Sequence, residues 1–320
     1  MKPCFSIALT VCDGAQYLPE LLDSFVEQQL QPCELVVSDD ASRDDSLEII
    51  ERFALDSPFP VRVLRNRSRL GVIDNFSRSI SACTGDYIAL ADQDDVWRSD
   101  KLACLAEELD KSNVLAVFSD AEVVDATLKP FGYTMWQRVR FTPEEQDSFA
   151  NGTGLSVLLK HRVVTGATLA FKADLKEVAL PIPNGWDHDA WLALIAASQG
   201  QILAINKPLI AYRQHEENVV GGLRRSLWSQ VNEALKIDRG EWYRKEIELW
   251  SALDKHMETL RISESVTTLL SEKIDHLESR ANFPVVRWRR VPGVVRELAA
   301  GRYRLYARNW GSVVFDLLAR

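Results

Sequence analysis

The first hundred residues alternate between two hydrophobic periods. Short apolar runs at Phe5 to Val11, Glu34 to Val37, Val61 to Leu64 and Tyr87 to Ala91 read as buried strands. Between them the period lengthens. Leu18, Leu21, Leu22 and Phe25 recur at helical spacing within Tyr17 to Gln29, behind the turn-forming Asp13-Gly14, and Asp44 to Ala54 and Val72 to Ala82 follow the same rule. Such alternation predicts an α/β fold with a mostly parallel sheet flanked by helices. Sheets of this kind bind ligands in the crevice beyond the carboxyl ends of their strands.

Further along, Lys101 to Leu109 reads as a helix and Leu115 to Ser119 as a strand. Residues 129–155 have little periodicity but many aromatic side chains, which suggests a loop or small insert over the strand ends. Val163 to Phe171 returns to strand character, Asp189 to Ala197 is helical, and Ile202 to Tyr212 is a strand that Pro208 turns into an edge or a bend. Beyond Gly221-Gly222 the pattern is helical, through Trp228 to Ile237, Trp242 to Leu260 and Val266 to Leu277. The expected organisation is a domain over residues 1–220, with halves meeting near residue 100, and a helical region over 221–320.

With 46% hydrophobic and 26% charged residues, the 320-residue chain has ordinary globular composition. Its net charge of -8 excludes a globally basic nucleic-acid binder. The charge is uneven, however. Residues 281–320 hold eight arginines and two acids, a net of +6, which leaves -14 on the rest. Arg287-Trp288-Arg289-Arg290 and Tyr303 to Trp310 interleave arginine with aromatics, a composition suited to an anionic membrane surface. A helical hairpin packed on the catalytic domain, or on a second copy in a homodimer, fits the same pattern. The five cysteines form no C-x-x-C pair, and the N-terminus lacks a secretory pattern. No stretch supplies the ~20 continuous apolar residues of a membrane span. The expected setting is the cytoplasm, including the inner face of the membrane, with no nucleic-acid partner.

Two acidic clusters carry the chemistry. Leu35-Val36-Val37-Ser38-Asp39-Asp40 ends a strand in adjacent carboxylates, which cannot both point into an apolar sheet. One of them, Asp39 above all, is placed to accept from a nucleobase or a sugar hydroxyl, while Asp44 equally suits a helix cap. The second cluster is sharper. Tyr87 to Ala91 runs into Asp92-Gln93-Asp94-Asp95, and three carboxylates at one strand end repel unless a cation compensates. Hard oxygen ligands in a short turn suit Mg²⁺ or Mn²⁺.

Together Ser6 to Val11, Val36 to Ser42 and Gly85 to Trp97 resemble the family 2 glycosyltransferases of GT-A fold, and most of all the rhamnosyltransferase-like enzymes of bacterial O-antigen and surface polysaccharide synthesis. The likeness spans roughly residues 4–220. It implies that Thr10, Val11 and Asp13 line the nucleotide pocket, with Asp39 and Asp40 at the base. It further implies that Asp92 and Gln93 serve the donor and that Asp94 holds the metal. The family often has Asn where this chain has Asp13. Gly185 to Leu194 resembles the family's His-Asp-x-Trp element, which matches Asp189 to the catalytic base, with Asp187 as rival. Trp186 and Trp191 then offer sugar-stacking walls, His188 a packing or hydrogen-bonding group, and Gly166 a close approach for ligand. In Tyr212 to Gly221 the likeness gives Arg213 to the diphosphate and His215 to the metal.

The implied activity is inverting transfer of a sugar from a nucleotide donor to a saccharide acceptor, lipid-linked in the fullest reading. By resemblance the donor is dTDP-rhamnose, with UDP-hexose and UDP-galactofuranose as alternatives. A sugar-phosphate nucleotidyltransferase would carry a basic Gly-rich loop after the first strand, where this chain has Cys12-Asp13-Gly14-Ala15. A non-catalytic nucleotide-sugar-binding scaffold is the remaining alternative.

Overall fold

A computed structural model describes residues 4–214, 238–260 and 262–319. These fall into two compact units, one of residues 4–154 and 163–214 and the other of residues 155–162 with the C-terminal helices. The boundary expected near residue 220 lies outside the described residues, as does the helix expected over Trp228 to Ile237.

The first unit is built on one sheet. Its strands are β1 (Phe5–Val11), β2 (Glu34–Asp39), β3 (Val61–Arg65), β4 (Tyr87–Asp92), β5 (Val96–Trp97), β6 (Val114–Val124), β7 (Pro130–Thr134), β8 (Leu169–Lys172) and β9 (Gln201–Arg213). Their order is β3-β2-β1-β4-β8-β6-β9-β5, with β7 paired to β6 alone. β1 to β4 run parallel, as do β6 and β9, whereas β8 is antiparallel to both neighbours. β1 is covered on both faces and is apolar almost throughout, whereas β3 at the edge alternates with arginine. Helices Leu18–Val26, Ser46–Asp56 and Val72–Ala82 follow β1, β2 and β3 as the periodicity predicts.

Three stretches sharpen or correct the expectation. Of the loop and the small insert expected over residues 129–155, the structure has an insert, made of β7 and the helices Met135–Val139 and Pro143–Ala150. Each helix opens on a capping box, Thr134 with Gln137 and Thr142 with Glu145, a spacing readable in the sequence. Three of the aromatics in this stretch are core, since Trp136, Phe141 and Phe149 all pack against Phe118 of β6, whereas Phe131 is exposed. The strand expected from Val163 begins only at Leu169, after a 3-10 turn at Gly166–Thr168. Pro208 pairs with β6 alone, where the β6–β9 register slips next to Asp120, while β5 reaches only Ile210 and Ala211, so the proline sits at an irregular position with one open side.

The second unit contains helices Arg239–Glu258, Glu264–Ala281, Val291–Ala299, Arg302–Tyr306 and Asn309–Leu318. A small apolar cluster of Phe283, Val294, Tyr303, Ala307 and Val313 surrounds a polar centre. Fully buried Asp316 accepts from Arg280 Nε at 2.7 Å, Tyr303 at 2.6 Å and Tyr243 at 2.5 Å. Arg290 is also buried, and its guanidinium donates to the carbonyls of Pro284, Val285, Asp316 and Ala319. One arginine of the basic tail is therefore a structural staple for the chain's last helix.

Breaking a buried ion pair from one side leaves the other charge uncompensated. Asp316→Asn should accordingly lower the unfolding free energy of the C-terminal helices by about 3–5 kcal/mol, read from urea denaturation followed by far-UV circular dichroism.

Candidate active site

The sheet register sets the acidic clusters side by side. Val11 at the end of β1 pairs with Asp39 of β2, while Thr10 pairs with Asp92 of β4, so both acids emerge at the carboxyl edge. Asp39 is buried, and only one of its oxygens is used within the protein: Oδ2 accepts from the Ser42 N–H at 3.3 Å, whereas Oδ1 has no hydrogen-bond partner. An orphaned buried acceptor is costly unless a ligand donor completes it. Asp40, expected to share this role, is otherwise employed. Its carboxylate accepts from Asn66 Nδ2, Leu70 N–H and Gly71 N–H at 2.9, 2.6 and 2.9 Å, bracing the loop after β3.

Asp13 and Gln93 prove to be clasps. Asp13 sits in the left-handed region at φ 53°, which an aspartate tolerates. Its carboxylate accepts from the Arg43 N–H at 2.7 Å and pairs with Arg69, and these partners hold its pKa below the usual range despite some burial. The acid at the position where the family often has Asn is thus neutralised within the protein. Gln93 grips the backbone of Cys12 from both sides, accepting from its N–H at 2.7 Å and donating to its carbonyl at 3.2 Å. A Cβ on Gly14 would stand 2.6 Å from the Gln93 side chain, so this contact requires glycine.

The acidic turn after β4 rests on two buried cations. Arg213, expected to face the diphosphate, has its guanidinium fully engaged: Nε donates to the Asp94 carbonyl at 2.7 Å, one terminal nitrogen to the Ala126 carbonyl at 2.6 Å, and the other pairs with Glu20. Its backbone N–H donates to Asp95 Oδ1 at 3.1 Å. Arg213 is only 2% exposed, and so it shapes the turn from beneath instead of contacting a diphosphate. The second cation was not read from the sequence as functional. Lys101 is wholly buried, donates to the Ala167 carbonyl at 2.7 Å and lies 3.4 Å above the Trp97 ring. Burial pushes its pKa well down, while the nearby Asp95 and Asp92 pull it back up. The signal existed: Lys101 breaks an otherwise apolar stripe with Leu102, Leu105 and Leu109.

Even with these cations the cluster is short of positive charge. Burial, then Asp94 and Asp189, raise the Asp92 pKa to about 7, and burial with Asp94 and Asp92 raises that of Asp95. Asp95 Oδ2 is a further buried oxygen without a partner. Two or three hard oxygens in want of a cation fit Mg²⁺ or Mn²⁺ held partly by substrate phosphates. Among the described residues no three Asp, Glu, His or Cys side chains converge as a complete protein cage. His215 lies outside the described residues.

Asp189 is brought to this cluster, for Asp92 feels its charge. It occupies the first turn of helix His188–Gln199 and accepts from the Gly166 N–H at 3.1 Å and the Ala190 N–H at 2.6 Å. Gly166 opens the same 3-10 turn whose Ala167 carbonyl is bound by Lys101, so one buried lysine steadies both the acidic turn and the seat of Asp189. Asp187 immediately precedes the helix but does not cap it through its side chain. His188 is a packing residue, stacked on Phe76 with centroids 4.0 Å apart, and burial lowers its pKa. Its Nε2 would lie 2.4 Å from a Cβ on Gly166, so that glycine makes room for a ring of the protein itself. Trp186 and Trp191 are corrected as well. Both are buried with centroids 6.0 Å apart, and Trp191 donates to the Ala179 carbonyl at 2.7 Å, so neither offers a face to a sugar.

A parallel sheet with acids at the carboxyl edge, an orphaned acceptor beside them and a third carboxylate across from them describes a nucleotide-sugar enzyme of GT-A type. The comparisons agree. Residues 6–157 match the family model "Glycosyl transferase family 2", and this part of the chain is a glycosyltransferase domain of that family. The chain is 27% identical over 245 residues to the dTDP-rhamnosyl transferase RfbG of Shigella flexneri, covering 73% of this chain and 80% of that one. In fold it resembles S. aureus TarS 1-349 in complex with UDP-GlcNAc (TM-score 0.59, 14% identity, 94% of this chain and 82% of that chain). It also resembles the mannosyltransferase PcManGT from Pyrobaculum calidifontis in complex with GDP-Man and Mn2+ (TM-score 0.53, 19% identity, 94% and 76%).

Two substitutions test the architecture. Gly166→Ala should displace His188 and with it the start of the Asp189 helix, lowering stability by about 1–3 kcal/mol and turnover by more than tenfold, as measured by thermal unfolding and sugar-transfer assay. Lys101→Met should strip the acids of their internal cation. Unfolding should then move to lower urea concentration at pH 8 and recover in part as the pH falls and the acids take up protons.

Proposed function

We propose that the protein transfers a sugar with inversion from a nucleotide diphosphate donor, dTDP-rhamnose in the preferred reading, to a saccharide acceptor in surface polysaccharide synthesis, lipid-linked in the fullest form. The observation that carries the reading is the meeting of Asp39, Asp92 and Asp189 at one sheet edge, where Asp39 keeps an oxygen for a ligand. The rhamnosyl donor is supported by the likeness to RfbG.

Asp39 Oδ1 accepts from the N–H of the nucleobase, with Thr10 and Val11 forming the adjoining floor of the pocket. Asp189 takes the proton of the acceptor hydroxyl, whose oxygen bonds to the anomeric carbon from the face opposite the diphosphate. The bond from that carbon to the phosphate oxygen breaks and the nucleoside diphosphate leaves, with no covalent enzyme intermediate. The two N–H donors on Asp189 fix the carboxylate for in-line attack. Asp94 and Asp92 would hold Mg²⁺ or Mn²⁺, which when bound offsets charge on the leaving diphosphate.

Calorimetric titration with dTDP-rhamnose, UDP-glucose and UDP-galactofuranose, with Mn²⁺ and again with chelator, tests the donor. Metal-dependent binding of dTDP-rhamnose alone is expected; binding of a UDP-sugar instead would replace the donor, and binding of none would overturn the assignment. Asp189→Asn should keep donor affinity within about threefold while turnover falls at least about a hundredfold. Unchanged turnover would favour Asp187 as base, whereas a cellular role that survives Asp189→Asn with no turnover in either form would favour the scaffold reading.

A further inference from the structure

Two helices of the C-terminal unit each bury a carboxylate among apolar side chains on one face and expose further apolar side chains on another. In Val291–Ala299, Val294 and Glu297 point inward, the carboxylate only 1% exposed, while Val291 and Val295 face solvent. In Asn309–Leu318, Val313 and Asp316 are buried, whereas Trp310, Val314 and Leu318 are exposed. Residues four apart share one helix face, so each helix carries a second, exposed apolar stripe. The preceding segment adds Val285 at 87% exposure and Trp288 at 70%, and Trp310 stands at 72%.

Within residues 281–320 the exposed charge has one sign. Arg287, Arg289, Arg296, Arg304 and Arg308 are exposed, while Glu297 and Asp316, the acids of residues 281–320, are both buried. Arg289 lies 5.2 Å from the Trp288 ring, pairing cation with aromatic as interfacial side chains do.

We infer that this face docks on an anionic phospholipid surface, with Trp288 and Trp310 at the boundary of headgroups and acyl chains and the arginines on lipid phosphates. Among the described residues no helix is long and apolar enough to cross a membrane, so the contact lies along the surface. A second copy of the same face would bring like charges together. A single-stranded nucleic acid would meet the same arginines, but the exposed valines and leucines offer its bases nothing to stack on. The inference stands apart from the donor and acceptor assignment, because its test reads lipid binding and not sugar transfer.

The full-length chain is sedimented with phosphatidylcholine vesicles and with vesicles holding roughly 30% phosphatidylglycerol, at low salt and at about 0.5 M NaCl. Binding to the anionic vesicles alone is expected, weakened by salt and by Arg287→Gln with Arg289→Gln. Replacing Trp288→Ser and Trp310→Ser together, with every arginine kept, should weaken it at least about tenfold. Tryptophan quenching by lipids brominated on their acyl chains reports insertion of the unaltered protein and needs no variant to fold. No binding, equal binding to neutral vesicles, or absence of quenching would overturn the inference. So would a tryptophan pair whose loss alters only self-association or oligonucleotide binding.

Discussion

Asp92, Asp94 and Asp95 crowd the end of one buried strand, and the surrounding fold is organised to make their repulsion tolerable. Two basic residues support them from inside: Lys101, from the helix after β5, lies close enough for Asp92 and Asp95 to act on it, and Arg213, at the end of β9, donates its backbone N–H to Asp95 and its guanidinium to the main-chain carbonyl of Asp94. Neither is free to leave, because each is also bound to backbone carbonyls that define other parts of the edge. The compensation is incomplete: Asp92 and Asp95 still hold their protons more tightly than ordinary carboxylates. A partly compensated cluster retains affinity for a further cation, whereas a fully paired one would have little.

The same economy of partners governs the loops. The loop after β1 is bound to the loop after β2 through Ser42, Asp44 and Ser46, and the loop after β3 hangs on Asp40. Side chains that look from the sequence like ligands for substrate serve instead as anchors for backbone amides. Among the described residues, what this strand edge leaves over for a ligand includes one oxygen of Asp39 and one of Asp95 in the acidic turn.

The strand and helix order of the first hundred residues was legible because each element repeats its hydrophobic period without interruption. Residues 129–155 were not, since short helices fixed by capping boxes have too few turns to display a period. At the site, strand-end position located Asp39, Asp92 and Asp94, because the carboxyl edge of a parallel sheet is a topological fact. The partners of Asp40, Gln93 and Arg213 are between 26 and 193 residues away in the chain, and no local pattern encodes them. Trp186 and Trp191 misled for the opposite reason: tryptophans near an acid resemble a sugar platform, and only three-dimensional packing shows them to be core. The basic tail was ambiguous in sequence, and burial divides it, assigning Arg290 to the interior and its neighbours to the surface.

Gln93 holds Cys12 by both of its backbone groups, and Gly14 leaves room for the grip. The loop that follows the first strand and the acidic turn that follows the fourth therefore behave as one mechanical part, although 81 residues separate them. A shift of either loop is passed to the other through two backbone hydrogen bonds, whereas the segments after the second and third strands meet the loop after β1 through the side chains of Ser42, Asp44, Ser46 and Arg69.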